Sequence, residues 1–144
     1  MHNIVDNIKI EQVVKPQIIT NQILDSGAID MQNIEVLNVA ILVGDIVDIL
    51  SSSAKIDLKI EHSDDAEEYL ACGDADILNY QNVSEGVFAS IDDEVKEDAR
   101  YLVEYRGSKR YVKVSAIPTG LTQGGNIAML ALTTKHSRTP IANS

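Results

Sequence analysis

Alternation of apolar and polar residues at every second position is the feature that most limits what this chain can fold into. Over 55–61, isoleucines and a leucine alternate with charged residues. Side chains two positions apart share one face of a strand, so this run predicts a strand with one face in a core and the other in water. The same alternation over 8–14, 101–106 and 111–116 predicts further strands of this kind.

Turn-forming residues separate these runs and set the predicted strand ends. Pro16 cannot donate a hydrogen bond to a neighbouring strand, so we expect it to end the first strand. The strands on either side of Arg106-Gly107-Ser108-Lys109 are expected to form a hairpin. With the apolar row over 126–134, reached through a hairpin turn at Gly124-Gly125, they predict a three-stranded meander in the C-terminal third.

Two further segments complete the predicted architecture. The run 34–43 is apolar on both faces, which is typical of a central strand covered on each side. Residues 64–71 fit a short helix, because Asp64 and Glu67 have capping-box spacing, but a turn over 63–66 that leads into a strand is favoured. Six to nine short strands with at most one or two helical turns predict an all-β fold, an antiparallel β-sandwich or a barrel-like fold.

The predicted organisation is one β-sandwich domain over 1–134, whose residues 1–32 form an N-terminal strand or arm, followed by a polar C-terminal arm over 135–144. A chain of 144 residues is long enough to bury one sizeable core. We find neither a cationic start followed by an apolar core nor a run of about eighteen apolar residues. We therefore expect a cytoplasmic chain without a signal peptide and without contact to a membrane.

The balance of charge excludes one class of partner. Twenty-two acidic against 12 basic residues give a net charge of −10. Binding to nucleic acid requires clustered lysine and arginine that neutralise phosphates. We therefore predict no nucleic-acid partner.

The residues that most often carry chemistry form no recognisable catalytic or metal-binding pattern. His2, His62 and His136 are far apart in the sequence and are expected at the surface, so no metal and no cofactor are predicted. Cys72 follows small and apolar residues, which favours a buried, inert thiol. Without a nucleophile elbow or a phosphate-binding loop, we predict that the protein is not an enzyme.

Two acidic clusters, over 64–68 and 92–98, leave one alternative open. If loops brought them together, their carboxylates could bind calcium, which takes six to eight oxygen ligands. Neither cluster has the spacing of a calcium-binding loop, so a solvated acidic face is the favoured interpretation.

Four short segments carry a resemblance to known proteins. They are MHNIVDNIK at 1–9, EHSDD at 61–65, VEYRGSKRYVKV at 103–114 and KHSRTP at 135–140. Together they resemble a group of small virion proteins of tailed bacteriophages, encoded among the head and neck genes. The resemblance runs nearly end to end, except for Val36 to Ser53, and it includes no catalytic motif.

The resemblance implies a non-enzymatic structural protein of the virion, assembled in the host cytoplasm. Its most specific implication is a decoration or cement protein that binds the outside of the capsid in many copies and reinforces it. The implied partners are major capsid protein subunits and further copies of the chain itself. The alternatives are a neck or tail component, such as a head-tail joining or tail tube protein, and a carbohydrate-binding sandwich, against which the absence of tryptophan counts.

We expect capsid contacts at both ends of the chain, because an apolar strand can add to a sheet edge and an arm can lie across a partner. For Ile8 and Ile10, the other interpretation is that they face the domain's own core. The residues assigned to the contact are Ile4, Ile8, Ile10, Arg138, Pro140 and Ile141.

Overall fold

Two antiparallel sheets packed against each other make up the computed structural model, which describes residues 8–135. The predicted all-β, sandwich-like fold is confirmed. Helical structure within these residues consists of two three-residue 3₁₀ turns, Asp74–Asp76 and Glu94–Lys96. The strands are β1 (Ile8–Ile19), β2 (Leu24–Asp25), β3 (Ile29–Asp30), β4 (Ile34–Ile46), β5 (Lys55–Ser63), β6 (Leu70–Ala71), β7 (Val87–Ile91), β8 (Ala99–Tyr105), β9 (Tyr111–Thr119) and β10 (Gly125–Lys135).

Sheet A contains four long strands in the order β1-β10-β4-β8. The pairs that fix its register include Ile10 opposite Leu132 and Ala40 opposite Leu102. Strands β10 and β4 are therefore central, and β1 and β8 are the edges.

Sheet B is built around the pair β5 and β9. The short strands β2 and β3 pair with the far side of β9, and β6 and β7 pair with the far side of β5. Two short strands thus line each outer side of the central pair.

The core lies between the sheets and is made of aliphatic side chains. Leu37, Val39 and Ile41 of β4 and Ile56 and Leu58 of β5 are fully buried. Complete burial of one such side chain stabilises the fold by about 1.5–3 kcal/mol. The alternation over 55–61 predicted the inward face of β5 correctly.

The predicted hairpin and meander in the C-terminal third are wrong. Strand β8 pairs with β4 in sheet A, and β9 pairs with β5 in sheet B, so residues 106–110 cross from one sheet to the other. The link through Gly124-Gly125 also crosses, from β9 in sheet B to β10 in sheet A. Alternation shows which side chains point inward, but an inward row fits either sheet, and it therefore does not identify the pairing partner.

Contrary to the prediction, Pro16 does not end the first strand. Strand β1 is an edge strand, and it bulges at this point. The register shifts between Val14 and Gln17, and Pro16 lies exposed within the shift. Edge positions and bulges are where a strand tolerates a residue without an N–H group.

Strand β4 is central, as predicted, but it is covered on one face. Its inward residues are buried, whereas Leu42 on the opposite face is 41% exposed. The expectation of cover on both faces is therefore wrong, because no layer within residues 8–135 packs over the outer face of sheet A.

The favoured turn after β5 is confirmed. Asp65 accepts hydrogen bonds from the backbone N–H groups of Glu67 and Glu68 and from the hydroxyl of Ser63. These hydrogen bonds lower the pKa of the Asp65 carboxyl. The chain then enters β6 at Leu70, so the helix interpretation of 64–71 is wrong.

The crossing from β9 to β10 is held by one carboxylate. Asp48 accepts hydrogen bonds from the backbone N–H groups of Thr122, Gln123 and Gly124 and from the Thr122 hydroxyl. These bonds hold the pKa of Asp48 far below its usual range. Gly124 has φ of 75°, and a Cβ at this position would lie 1.8 Å from the carbonyl oxygen of Ile19.

We predict that Gly124→Ala lowers the free energy of unfolding by more than about 2 kcal/mol, because it adds left-handed strain to a backbone clash. Urea denaturation measures the change. Gly73→Ala is the matched control, since φ at Gly73 is −112° and nothing lies within 4 Å of its added Cβ. Equal stability of the two variants would contradict the prediction.

Candidate functional site

The outer face of sheet A carries exposed apolar side chains on three of its four strands. Ile10 is 63% exposed, Ile18 60% and Leu102 47%. Together with Leu42 they are four of the ten exposed large hydrophobic side chains found within residues 8–135. Exposed apolar side chains that share one face mark an interaction surface more strongly than scattered ones.

Sheet register places these side chains beside further apolar residues. Ile10 on β1 lies opposite Leu132 on β10. Leu130, also on β10, lies opposite Ala40 on β4, and Ala40 lies opposite Leu102 on β8. Half-buried leucines on β10 therefore connect the exposed residues of the two edge strands. We call this surface the A-face: Ile10, Ile18, Leu42, Leu102, Leu130 and Leu132.

A shallow groove of about 430 Å³ adjoins the A-face at Leu42. Its lining includes Pro16, Leu42, Asp98, Arg100 and Ala128. Arg100, which lies opposite Leu42 on β8, places an exposed cation at the margin of the groove. The groove therefore combines apolar side chains with one acidic and one basic residue, Asp98 and Arg100.

The predicted contact residues fall partly within this surface. Ile10 belongs to the A-face, and Ile8 lies half-buried on the same side of β1. The interpretation that Ile10 faces the domain's own core is wrong. Ile4, Arg138, Pro140 and Ile141 lie outside the described residues, and their assignment stays a prediction.

Sequence reasoning missed Leu42 and Leu102. The sequence did not identify Leu42 as exposed, because β4 was expected to be covered on both faces. Leu102 did carry a signal, because it is an apolar residue at a position that the alternation of 101–106 assigns to water.

A second feature is a group of polar side chains buried at one end of the sandwich. We call it the His62 cluster: His62, Cys72, Asp76 and Tyr105. Cys72 is 2% exposed and His62 is 7% exposed. Nδ1 of His62, on β5, lies 2.8 Å from the hydroxyl of Tyr105, on β8, so this hydrogen bond joins the two sheets.

Backbone pairing brings the other two members to this place. β6 pairs with the end of β5, and the N–H of Cys72 then donates to the carbonyl of Ile60 at 3.2 Å. The 3₁₀ turn Asp74–Asp76 follows, and the carbonyl of Asp76 accepts the N–H of Arg106 at 2.6 Å. The segment 72–78 thus runs from sheet B to sheet A.

The side chains of this cluster lie close enough to interact. A ring nitrogen of His62, the Sγ of Cys72 and a carboxylate oxygen of Asp76 all lie within 4.8 Å of one another. Burial, reinforced by the charges of Asp76 and Glu61, raises the pKa of the Cys72 thiol to about 12. Burial likewise raises the pKa of Tyr105 to about 12. The thiol is therefore neutral near pH 7 and is a poor nucleophile.

Cys72 is buried, as the sequence indicated, and its inertness stays a prediction. The prediction of a surface position for His62 is wrong. Its ring lies edge-to-face against Tyr105, with 5.7 Å between the ring centroids. Tyr105 is 43 residues further along the chain, and it belongs to the strand whose pairing the sequence did not reveal.

The two acidic clusters do not come together. Asp64 follows the last residue of β5. Asp92 follows Ile91, which pairs with Ile56 near the beginning of the same strand. Nine residues of β-strand separate the two places by roughly 27 Å. Asp92 instead forms an ion pair with Lys96 at 2.8 Å. The two acidic clusters, over 64–68 and 92–98, therefore do not form a shared calcium-binding site.

Comparison with family models, with curated proteins and with solved structures gave no match to this chain. Within residues 8–135, no helix has the length and hydropathy needed to cross a membrane. Functional inference therefore depends on the two features described above and on the resemblance of the four sequence segments.

We predict that iodoacetamide modifies Cys72 at least about 100-fold more slowly in the folded protein than in urea at pH 9, where an exposed thiol is largely ionised. Mass spectrometry over time measures the rates, and EDTA in both samples removes any bound metal. Similar rates would contradict the buried, neutral thiol.

Proposed function

We propose that this protein is a non-enzymatic structural protein of a tailed-phage particle, and that it binds the outside of the capsid in many copies as a decoration protein. The observation that supports a binding role most directly is the A-face, an apolar surface on one side of a stable sandwich. The phage assignment is supported by the four sequence segments that resemble small virion proteins.

Binding through the A-face is driven by removal of apolar surface from water. A fully buried Leu or Ile contributes about 1.5–3 kcal/mol, so a few such residues give one copy a modest affinity. Contacts repeated over many copies on one shell raise the effective concentration of each contact. Reinforcement of the shell then depends on the assembly and not on the strength of a single contact.

The charges of the chain favour a position on the outside of the shell. A net charge of −10 repels the phosphates of packaged DNA. The A-face itself is formed by uncharged side chains, with Arg100 at its margin. We therefore propose that the major capsid protein presents an apolar patch to the A-face.

The proposal is tested by mixing the purified protein with capsids that lack it and locating added density by electron cryomicroscopy. Density repeated over the capsid lattice is the expected result. Density confined to the portal vertex would replace the decoration role by a neck role, and the absence of density would contradict both.

We predict that Ile10→Ser and Leu102→Ser each lower capsid affinity at least about tenfold, because each removes about 1.4 kcal/mol or more of apolar contact. Matched controls are Ile49→Ser and Leu70→Ser, since Ile49 is 92% exposed and Leu70 60% exposed, away from the A-face. Co-sedimentation with capsids measures binding, and thermal unfolding checks the fold. Equal losses in all four variants would contradict the assignment to the A-face.

The C-terminal residues are tested separately. We predict that deletion of 136–144, which removes Arg138, Pro140 and Ile141, weakens capsid binding and leaves the unfolding temperature unchanged, because this polar segment has few apolar side chains to bury. Unimpaired binding would refute a role of this segment in capsid contact.

A further inference from the structure

We propose that His62, Cys72 and Asp76 form a binding site for a divalent transition-metal ion of the zinc type. The proposal is independent of the capsid role, because the site lies between the sheets and shares no residue with the A-face. One nitrogen, one sulfur and one carboxylate oxygen are the three kinds of donor that zinc takes in proteins.

The spacing of the donors is close to what a single ion requires. Ligand atoms at about 2.0–2.3 Å from a tetrahedral ion lie about 3.3–3.8 Å apart. In this structure the three donor atoms all lie within 4.8 Å of one another. The donor separations therefore exceed the tetrahedral values by at most about 1.5 Å.

Hydrogen bonds around the cluster hold two of the three ligands. The hydroxyl of Tyr105 lies 2.8 Å from Nδ1 of His62, and this hydrogen bond orients the imidazole ring. Oδ2 of Asp76 accepts the N–H of Gly73 at 2.9 Å, which leaves Oδ1 for the ion. Such outer-shell hydrogen bonds orient ligands at protein metal sites.

The charges of the ligands also fit a divalent ion. Metal binding releases the proton of the Cys72 thiol to water. The resulting thiolate and the Asp76 carboxylate together carry two negative charges, which one divalent cation neutralises. A neutral set is far less costly to bury than an isolated anion. Cys72 and His62 are buried and Asp76 is half-buried, so Asp76 is the member of the three that is most open to water.

Titration of the EDTA-treated, reduced full-length chain with Co²⁺ tests the proposal. We expect saturation at one equivalent, with the intense near-ultraviolet absorption of cobalt-thiolate bonding, and displacement of Co²⁺ by Zn²⁺. Cys72→Ser should abolish this absorption. Asp76→Asn should weaken binding at least about tenfold, although asparagine still offers an oxygen to the N–H of Gly73. Glu94→Gln, which changes an exposed acidic residue elsewhere, is the matched control and should leave binding unchanged.

Tyr105→Phe separates an ordered metal site from a chance cluster. Loss of the hydroxyl should weaken Co²⁺ binding about 10–100-fold without abolishing the thiolate absorption. The proposal is overturned if the wild-type chain shows no thiolate absorption, or if Cys72→Ser and Asp76→Asn bind as tightly as the control, which would indicate ions on the acidic surface. Should a variant fail to fold, the wild-type absorption and stoichiometry still decide.

Discussion

Packing of two aliphatic sheet faces against each other is the interaction on which the rest of this structure depends. The inward-facing apolar side chains of β4 and β5 are buried and belong to one core. Because this contact completes the core, the apolar residues on the outer side of sheet A contribute little to folding. Leu42 is 41% exposed and Leu102 47% exposed, so a large part of each side chain stays in contact with water in the folded chain.

The strands of this fold could be predicted from the sequence better than their partners. Alternation identified the inward face of β5, because the period of two is a local property of the chain. It could not show that residues 106–110 cross between sheets, since inward rows look alike in both. Pro16 was misread for a related reason, because its effect depends on whether the strand is an edge, and edges are defined by long-range pairing.

The residues of the two candidate sites also differ in how far the sequence alone could identify them. Ile10 could be found because it lies in an alternating run near one end of the chain. The His62 cluster could not, because its members come from β5, the residue after β6, a 3₁₀ turn and β8. Sequence separation between His62 and Tyr105 made each look like an isolated residue. Their side chains approach to 2.8 Å only because the sheet that contains β5 packs against the sheet that contains β8.

The two edges of sheet A differ, and the difference bears on how a partner binds. Along β8, the N–H of Leu78 donates to the carbonyl of Glu104, and Asn79 bonds the backbone at Leu102 and Glu104. This edge is therefore already partly occupied. Along β1, the bulge around Pro16 removes a donor and interrupts the register, and such features oppose addition of another strand. With one edge partly occupied and the other interrupted, the proposed binding fits docking through the A-face better than strand addition.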